Sequence, residues 1–448
     1  MYTKLTLVLV CLLARASHQK EFLPKLPALD NAHLDYLGKA PDDLQYAFII
    51  FRHGIRSPFS ADIYPSEDEY ANQWPGGKQQ LTQLGKKLME RVGRSLKTRY
   101  KRLIPEFHKD YVEVTATKSP RAKQSAVRVV EGMYPTPDNV KDITKTWVKE
   151  EEMKVFEADN YEIFDDVEGH KSCRRYTHIK NEIIKEEMKK LSYGKSRLIK
   201  ALNKLMSLNK VPATPIKTLD EFFNVWDAYE MTYFNGKKVP VWVAPMLESL
   251  TDIAQYRLWM RMHGKTDNGD SILQYYTGPL LNQIALEAVH AEEKCKRLVL
   301  ERKRGEDPKT ANKCASIHLH GSHDLTVGAL MWALVEDTEF IARPGDTLII
   351  EIDSESKIKA YLYSPLTPLP LKNFKQLSLK NVCKKKSCGL FNFIEVMKQR
   401  GLMYSKEVWE EQCSKEVLTT DKLKWRDRKS NFVIWVLKRI FFLYFMFG

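Results

Sequence analysis

The chain has 448 residues, enough for a large hydrophobic core, and carries a net charge of +14 with a pI near 9.2. Its apolar and charged fractions are those of a soluble globule, and the basic balance favours anionic partners: nucleic acid, acidic membrane or phosphorylated small molecules. The lysines are scattered, and their longest run (Lys384-Lys385-Lys386) sits between two cysteines. No basic stripe is interleaved with aromatics, which argues against nucleic acid as the partner.

At the N-terminus Lys4 precedes an apolar stretch from Leu5 to Leu13, followed by Ala14-Arg15-Ala16. This is the pattern of a secretory signal peptide over residues 1–16, too short for a membrane span. Its removal takes Cys11 and leaves six of the seven cysteines: Cys173, Cys295, Cys314, Cys383, Cys388 and Cys413. An even number in an exported chain suggests disulfides, with the connectivity open. No Asn-x-Ser/Thr acceptor occurs, so N-glycosylation is not expected.

After an extended leader, Tyr46-Ala47-Phe48-Ile49-Ile50-Phe51 has the bulk of a fully buried strand and runs into Arg52-His53-Gly54-Ile55-Arg56-Ser57-Pro58. Two guanidiniums around one imidazole suit an anion, since the planar fork matches phosphate oxygens and Gly54 lets the backbone turn close to a ligand. A strand ending in a solvated basic turn is the plain alternative for these residues. Residues 59–80 read as a polar loop. Leu81, Leu84, Leu88, Val92 and Leu96 predict a helix, with Thr82 as its cap. A strand over Tyr111–Ala116 leads to Arg121 and a second helix bearing Ala126, Val129 and Val130. Strand, helix, strand, helix is the order of an α/β core with a mainly parallel sheet.

Residues 136–239 change character, with Lys, Glu and aromatics at helical spacing, and read as a mostly helical insertion that caps the sheet. Its tryptophans and tyrosines read as its own core. The α/β core is then discontinuous, 44–135 and 240–420. Helices are expected near Leu247–Met262 and Leu280–Leu300, the latter entered through Thr277-Gly278-Pro279. Ala315–His320 is a third buried strand, running into Gly321-Ser322-His323-Asp324, and 346–352 with 358–363 form an antiparallel hairpin. In the tail, 431–448, Lys438-Arg439 splits two apolar runs. The tail therefore reads as an interfacial or weakly anchoring segment rather than a spanning helix.

In open α/β sheets ligands bind beyond the carboxyl ends of the strands. Three strands deliver polar groups there: Arg52, His53 and Arg56; Arg121; His323 and Asp324. Together they suit a dianionic tetrahedral ligand. His53 would attack phosphorus, the arginines and His323 would hold the oxygens, and Asp324 would protonate the departing alkoxide and then activate water. Asp324 also suits a helix N-cap. His318 and His320 share a strand face, but no third ligand stands at metal spacing, so no metal or other cofactor is assigned. Asp267 and Asp270 flank Gly269 in a turn and receive no role.

Arg-His-Gly-x-Arg-x-Pro early and His-Asp late, with Leu81-Thr82, Gly85, the Arg121 segment and Gly278-Pro279-Leu280-Leu281, resemble the histidine acid phosphatase family of the phosphoglycerate-mutase-like superfamily. The likeness spans most of 44–415 and looks closest to animal secreted, lysosomal and venom members. It implies His53 as nucleophile, Arg52, Arg56, Arg121 and His323 as phosphate ligands, and Asp324 as proton donor. It further implies disulfides Cys173–Cys413 and Cys383–Cys388, and a homodimer by analogy. Cys295 and Cys314 do not match the relatives' third pair, and a bridge between them is a hypothesis. Ile55 stands where relatives often carry an acidic residue or Ala, a change expected to touch substrate contacts.

The expectation is a secreted acid phosphatase for small phosphomonoesters, most active at acid pH because Asp324 must start protonated. A lysosomal or membrane-tethered location is the alternative. Rival readings are a phytase or other inositol-polyphosphate phosphatase, a lysophosphatidate phosphatase, and a catalytically silent secreted effector that binds phosphate or phospholipid. The phytase reading needs extra lysines and arginines near the insertion.

Overall fold

A computed structural model describes residues 35–414 apart from 109, 136–172, 267–270, 304–313, 336–339, 368–372 and 384–387, together with 23, 26, 27, 423 and 424. The expected signal peptide and the 431–448 tail lie outside the described residues. No described helix is long and apolar enough to cross a membrane.

A seven-stranded mixed sheet is built on β1 (Leu44–Arg52), whose nine residues are all buried because both faces are covered. Ala47, Ile49 and Phe51 point into one core, under α2 (Gln83–Tyr100) and α3 (Pro120–Met133). Tyr46, Phe48 and Ile50 point into a larger one on the opposite face. β1 pairs in parallel with β3 (Ser316–Ser322), and β3 pairs in parallel with β2 (Val112–Ala116). Beyond β1 the sheet turns antiparallel through β4 (Thr347–Asp353), β5 (Lys357–Tyr363) and β6 (Phe374–Gln376), with β7 (Cys388–Gly389) also on β5. The parallel part is thus confined to the three strands that end at the expected site, and the expected hairpin is the β4–β5 pair.

The polar loop after β1 contains a short helix, α1 (Glu67–Gln73), capped by Ser66. Thr82 caps α2 as expected, its hydroxyl accepting from the Gly85 N–H at 3.1 Å. The described residues of 136–239 are mainly helical: α4 (Arg174–Glu187), α5 (Tyr193–Leu208) and α6 (Leu219–Phe234), followed by α7 (Leu247–His263), which packs on α4 and α6. Aromatic residues of α6, Phe222, Trp226 and Tyr229, are buried in the larger core.

The helix expected from Leu280 begins earlier, as α8 (Ile272–Lys303), with Pro279 inside it. Proline removes the N–H that would bond the carbonyl four residues back, here that of Tyr275. The indole N–H of Trp409, on α11 (Lys406–Ser414), donates to that carbonyl at 3.3 Å, so the helix continues through the proline. α9 (Asp324–Leu334) follows β3 directly, and α10 (Leu390–Gln399) follows β7. The disulfides are Cys173–Cys413, which ties the start of α4 to α11, Cys383–Cys388, and Cys295–Cys314.

Candidate active site

β1, β2 and β3 end side by side, with Arg52 opposite Ser322 and Ala116 opposite Gly321. A cavity of about 230 Å³ opens there, floored by His53, Arg121, His323 and Asp324. The His53 and His323 rings stand 5.5 Å apart, edge to face.

Two glycines allow this closeness. A Cβ on Gly321 would come 2.7 Å from the Ala122 carbonyl, so a side chain there would push α3, and Arg121 with it, off the sheet. A Cβ on Gly54 would come 2.6 Å from the Gly85 carbonyl. Gly54 is therefore required for packing against α2, where the sequence suggested close approach to a ligand. Ser125 joins the two sides: its hydroxyl accepts from the Gly54 N–H at 3.0 Å and donates to the Arg121 carbonyl at 2.7 Å.

His53 is buried, and its Nδ1 lies 2.8 Å from the Gly54 carbonyl. A carbonyl can only accept, so Nδ1 carries the proton and Nε2 keeps its lone pair. Burial first, then Arg121, Arg52, His323 and Arg56, hold the His53 pKa well below its ordinary value. Burial and these cations thus favour the neutral imidazole. His323 is oriented by Thr117, whose hydroxyl lies 2.9 Å from Nε2.

Asp324 opens α9, but the N-cap is His323, so Asp324 is not the cap. Its Oδ2 is 3.4 Å from Nη2 of Arg52. Burial alone would raise the Asp324 pKa, yet Arg52, Arg56 and His323 together hold it below the ordinary carboxylate value. These cations thus oppose the protonation that the acid role expected of Asp324 requires.

Arg52 is 1% exposed; Nη1 donates to the Ala342 carbonyl at 2.6 Å, while Nε and Nη2 have no hydrogen-bond acceptor among the described residues. Arg121 donates to Oε1 of Gln79 at 3.2 Å, and Gln79 is held at φ 62°, a left-handed conformation costly for a non-glycine residue. Arg56 is fully buried and faces a partner that sequence reading missed. Asp227 of α6 takes its Nη1 and Nη2 at 3.0 and 2.6 Å and also accepts from the Phe59 N–H at 2.9 Å. A second missed acid, Glu230, lies one turn further along α6 and is buried. Burial pushes its pKa up to about 8, with Asp227 and Asp324 adding to the rise against Arg52 and Arg343. The available signal was their position: both sit inside the helical stretch Phe222–Tyr229 and just beyond it, where the spacing predicts burial. A buried acid needs a partner or a proton.

Ile55 does not reach the cavity. It is buried with Leu88, Met231, Phe234 and Leu366, so no substrate contact changes there. The far wall comes from Tyr176 and Lys180 of α4, Phe223 of α6, Arg257, Leu258, Arg261 and Met262 of α7, and the start of α8. Two of its cations are already matched. Arg261 bonds Glu187 at 3.0 Å and Asp220 at 2.9 Å, and Arg257 also bonds Asp220. Arg257 stacks on Phe223, and Arg56 on Phe59, so two phenyl rings line the route from the cavity floor to the wall.

Comparison with known proteins agrees with this geometry. The chain is 32% identical to prostatic acid phosphatase of Homo sapiens over 99 residues, 22% of this chain and 25% of that protein. It is 24% identical to human lysosomal acid phosphatase over 307 residues, 65% of this chain and 63% of that protein. It thus matches from about a quarter to under two thirds of these relatives' length. The fold is similar to that of the phytase from Citrobacter braakii (TM-score 0.56, 13% identity, 81% of this chain and all of that one). It is also similar to Hafnia alvei phytase in complex with myo-inositol hexakis sulphate (TM-score 0.55, 14% identity, 82% of this chain and all of that one). The family described as histidine phosphatase superfamily (branch 2) matches residues 43–357, most of the chain, and the protein belongs to that family.

Proposed function

We propose that the protein is an exported phosphomonoesterase that works through a phosphohistidine on His53. One observation carries the reading: a buried imidazole with its Nε2 lone pair free stands among guanidiniums, and Nε and Nη2 of Arg52 have no hydrogen-bond acceptor among the described residues. A buried donor left without an acceptor costs about 1–3 kcal/mol, which phosphate oxygens would recover.

In the first step Nε2 of His53 forms a bond to phosphorus as the phosphorus–oxygen bond to the leaving group breaks, and the Asp324 carboxyl gives its proton to that oxygen. In the second step Asp324 takes a proton from water, the oxygen of which bonds to phosphorus and breaks the phosphorus–nitrogen bond. Arg52, Arg121 and His323 hold the equatorial oxygens. Arg56, fixed by Asp227, contributes mainly its field and its hold on Phe59. An incoming phosphate offsets the cations that oppose protonation of Asp324, so Asp324 takes up its proton in the substrate complex.

The substrate we favour carries one phosphate on an apolar or aromatic body. The far wall offers Tyr176, Phe223, Leu258, Met262, Ile272 and Tyr276, while Arg257 and Arg261 already face Asp220 and Glu187. That charge balance weighs against a polyphosphorylated inositol. Helices α4–α6 act as the cap proposed for 136–239, with α7 completing the same wall. Three disulfides suit an extracellular or lysosomal compartment.

The test is an assay of the purified protein on an aryl phosphate, a phosphotyrosine peptide, lysophosphatidate and phytate across pH 4–8. His53→Ala is the control and should fall to background with an unchanged circular dichroism spectrum. Substantial turnover by His53→Ala would remove the covalent mechanism. Phytate outperforming the aryl phosphate would remove the substrate reading alone.

A further inference from the structure

On the parallel strands, roughly 16 Å down the sheet from the phosphate pocket at about 3.3 Å per residue, three donor side chains from distant parts of the chain meet. Glu113 of β2 stands directly opposite His318 of β3 in the strand register, and Glu287 of α8 descends onto the same pair. Their ligand atoms all lie within 4.8 Å of one another. Sequence spacing offered His318 no third ligand because one comes across the sheet and the other from a helix.

We propose that Glu113, Glu287 and His318 bind a divalent transition-metal ion of the zinc type. Imidazole and carboxylate ligands bind zinc at about 2.0–2.2 Å, which puts them about 3.4 Å apart around a tetrahedral centre. Nδ1 of His318 and Oε2 of Glu287, now 2.6 Å apart in a hydrogen bond, would open by about 0.8 Å to take an ion between them, and the widest separation closes by moving Glu113, the exposed member and the freest to rotate. His318 and Glu287 are already oriented from outside. Nε2 of His318 lies 2.6 Å from the Thr115 hydroxyl, which directs Nδ1 at Glu287. Glu287 is held by the Tyr46 hydroxyl and by the Gln283 amide at 2.9 Å. Outer partners of this kind set the direction of metal ligands.

A charge argument points the same way. Two carboxylates share one imidazole, and no lysine or arginine forms an ion pair with either among the described residues. A divalent ion would neutralise both, displacing the Nδ1 proton of His318 to solvent and leaving the open position for water. Bound there, it would clip β2, β3 and α8 together.

The test uses the full chain, freed of metal by chelation and titrated with zinc chloride, and separately with magnesium chloride, by calorimetry at neutral pH. One saturable zinc site per chain is expected, with magnesium far weaker. Glu113→Gln and Glu287→Gln should each weaken zinc at least tenfold, and zinc should raise the melting temperature of the wild type but not of Glu113→Gln. Glu113 is exposed, so that variant decides the matter even if Glu287→Gln fails to fold. The absence of a saturable site overturns the proposal. So does zinc binding indifferent to Glu113→Gln, which would mean other surface ligands or a triad held by hydrogen bonds alone.

Discussion

Asp227 closes on both terminal nitrogens of Arg56 at 3.0 and 2.6 Å, with neither side chain more than 1% exposed. Removing one partner of such a pair leaves the other charged and dry, at about 3–5 kcal/mol. Asp227→Asn should therefore lower the melting temperature by on the order of 5–10 °C. It should also reduce kcat/KM, since Phe59 loses an acceptor and Arg56 its direction. An unchanged melting curve would mean that the pair is dispensable.

Asp324 yields a prediction on leaving groups. An alkyl alkoxide needs its proton, an aryl oxide much less, so Asp324→Asn should slow alkyl phosphates by about 10²–10⁴ and aryl phosphates far less. Arg52, Arg56 and His323 hold Asp324 low. Its ionisation should hence appear at lower pH in kcat/KM, which reports the free enzyme, than in kcat, which reports the complex. Equal losses on both substrate types would show that Asp324 is not the acid.

Glu230 makes stability depend on pH in a stated direction. Its folded pKa of about 8 lies above the ordinary 4.5, so its contribution is fully present below 4.5 and is lost as pH rises towards 8. Glu230→Gln has no proton to lose. The difference in melting temperature, variant minus wild type, should grow in the variant's favour between pH 4.5 and 8. A difference constant with pH would mean that Glu230 ionises normally.

Trp409 and Pro279 form a compensating pair around the Tyr275 carbonyl. Trp409→Phe should cost about 1–3 kcal/mol by removing that indole donor. Pro279→Ala supplies a backbone N–H, and the double variant should recover part of the loss. Strict additivity of the two substitutions in denaturant melts would contradict the pairing.

The strands, the capped helix α2 and the gathering of His53, Arg121, His323 and Asp324 were legible because each rests on local signals: an unbroken apolar run, a three- and four-residue repeat, polar groups at strand ends. The narrowing of the parallel part to three strands was not, since period-two patterns do not fix pairing direction. Pro279 read as a boundary because the donor that rescues the helix lies 130 residues later. Asp227, Glu230 and Gln79 escaped for a similar reason: their meaning depends on which guanidinium folding brings to them. Ile55 looked exposed to substrate beside two site residues, yet one step along a turn was enough to aim it inward.

The cavity has a floor built from strand ends and a far wall built from helices tethered by Cys173–Cys413. On the function proposed above, bond cleavage and molecular taste are therefore housed in separate pieces of chain. Selection can repaint Tyr176, Leu258 or Met262 and redirect the protein to another diet of esters while the cutting tool stays intact. Asp227 is the exception, a single helical residue through which a careless change to the wall would reach the blade.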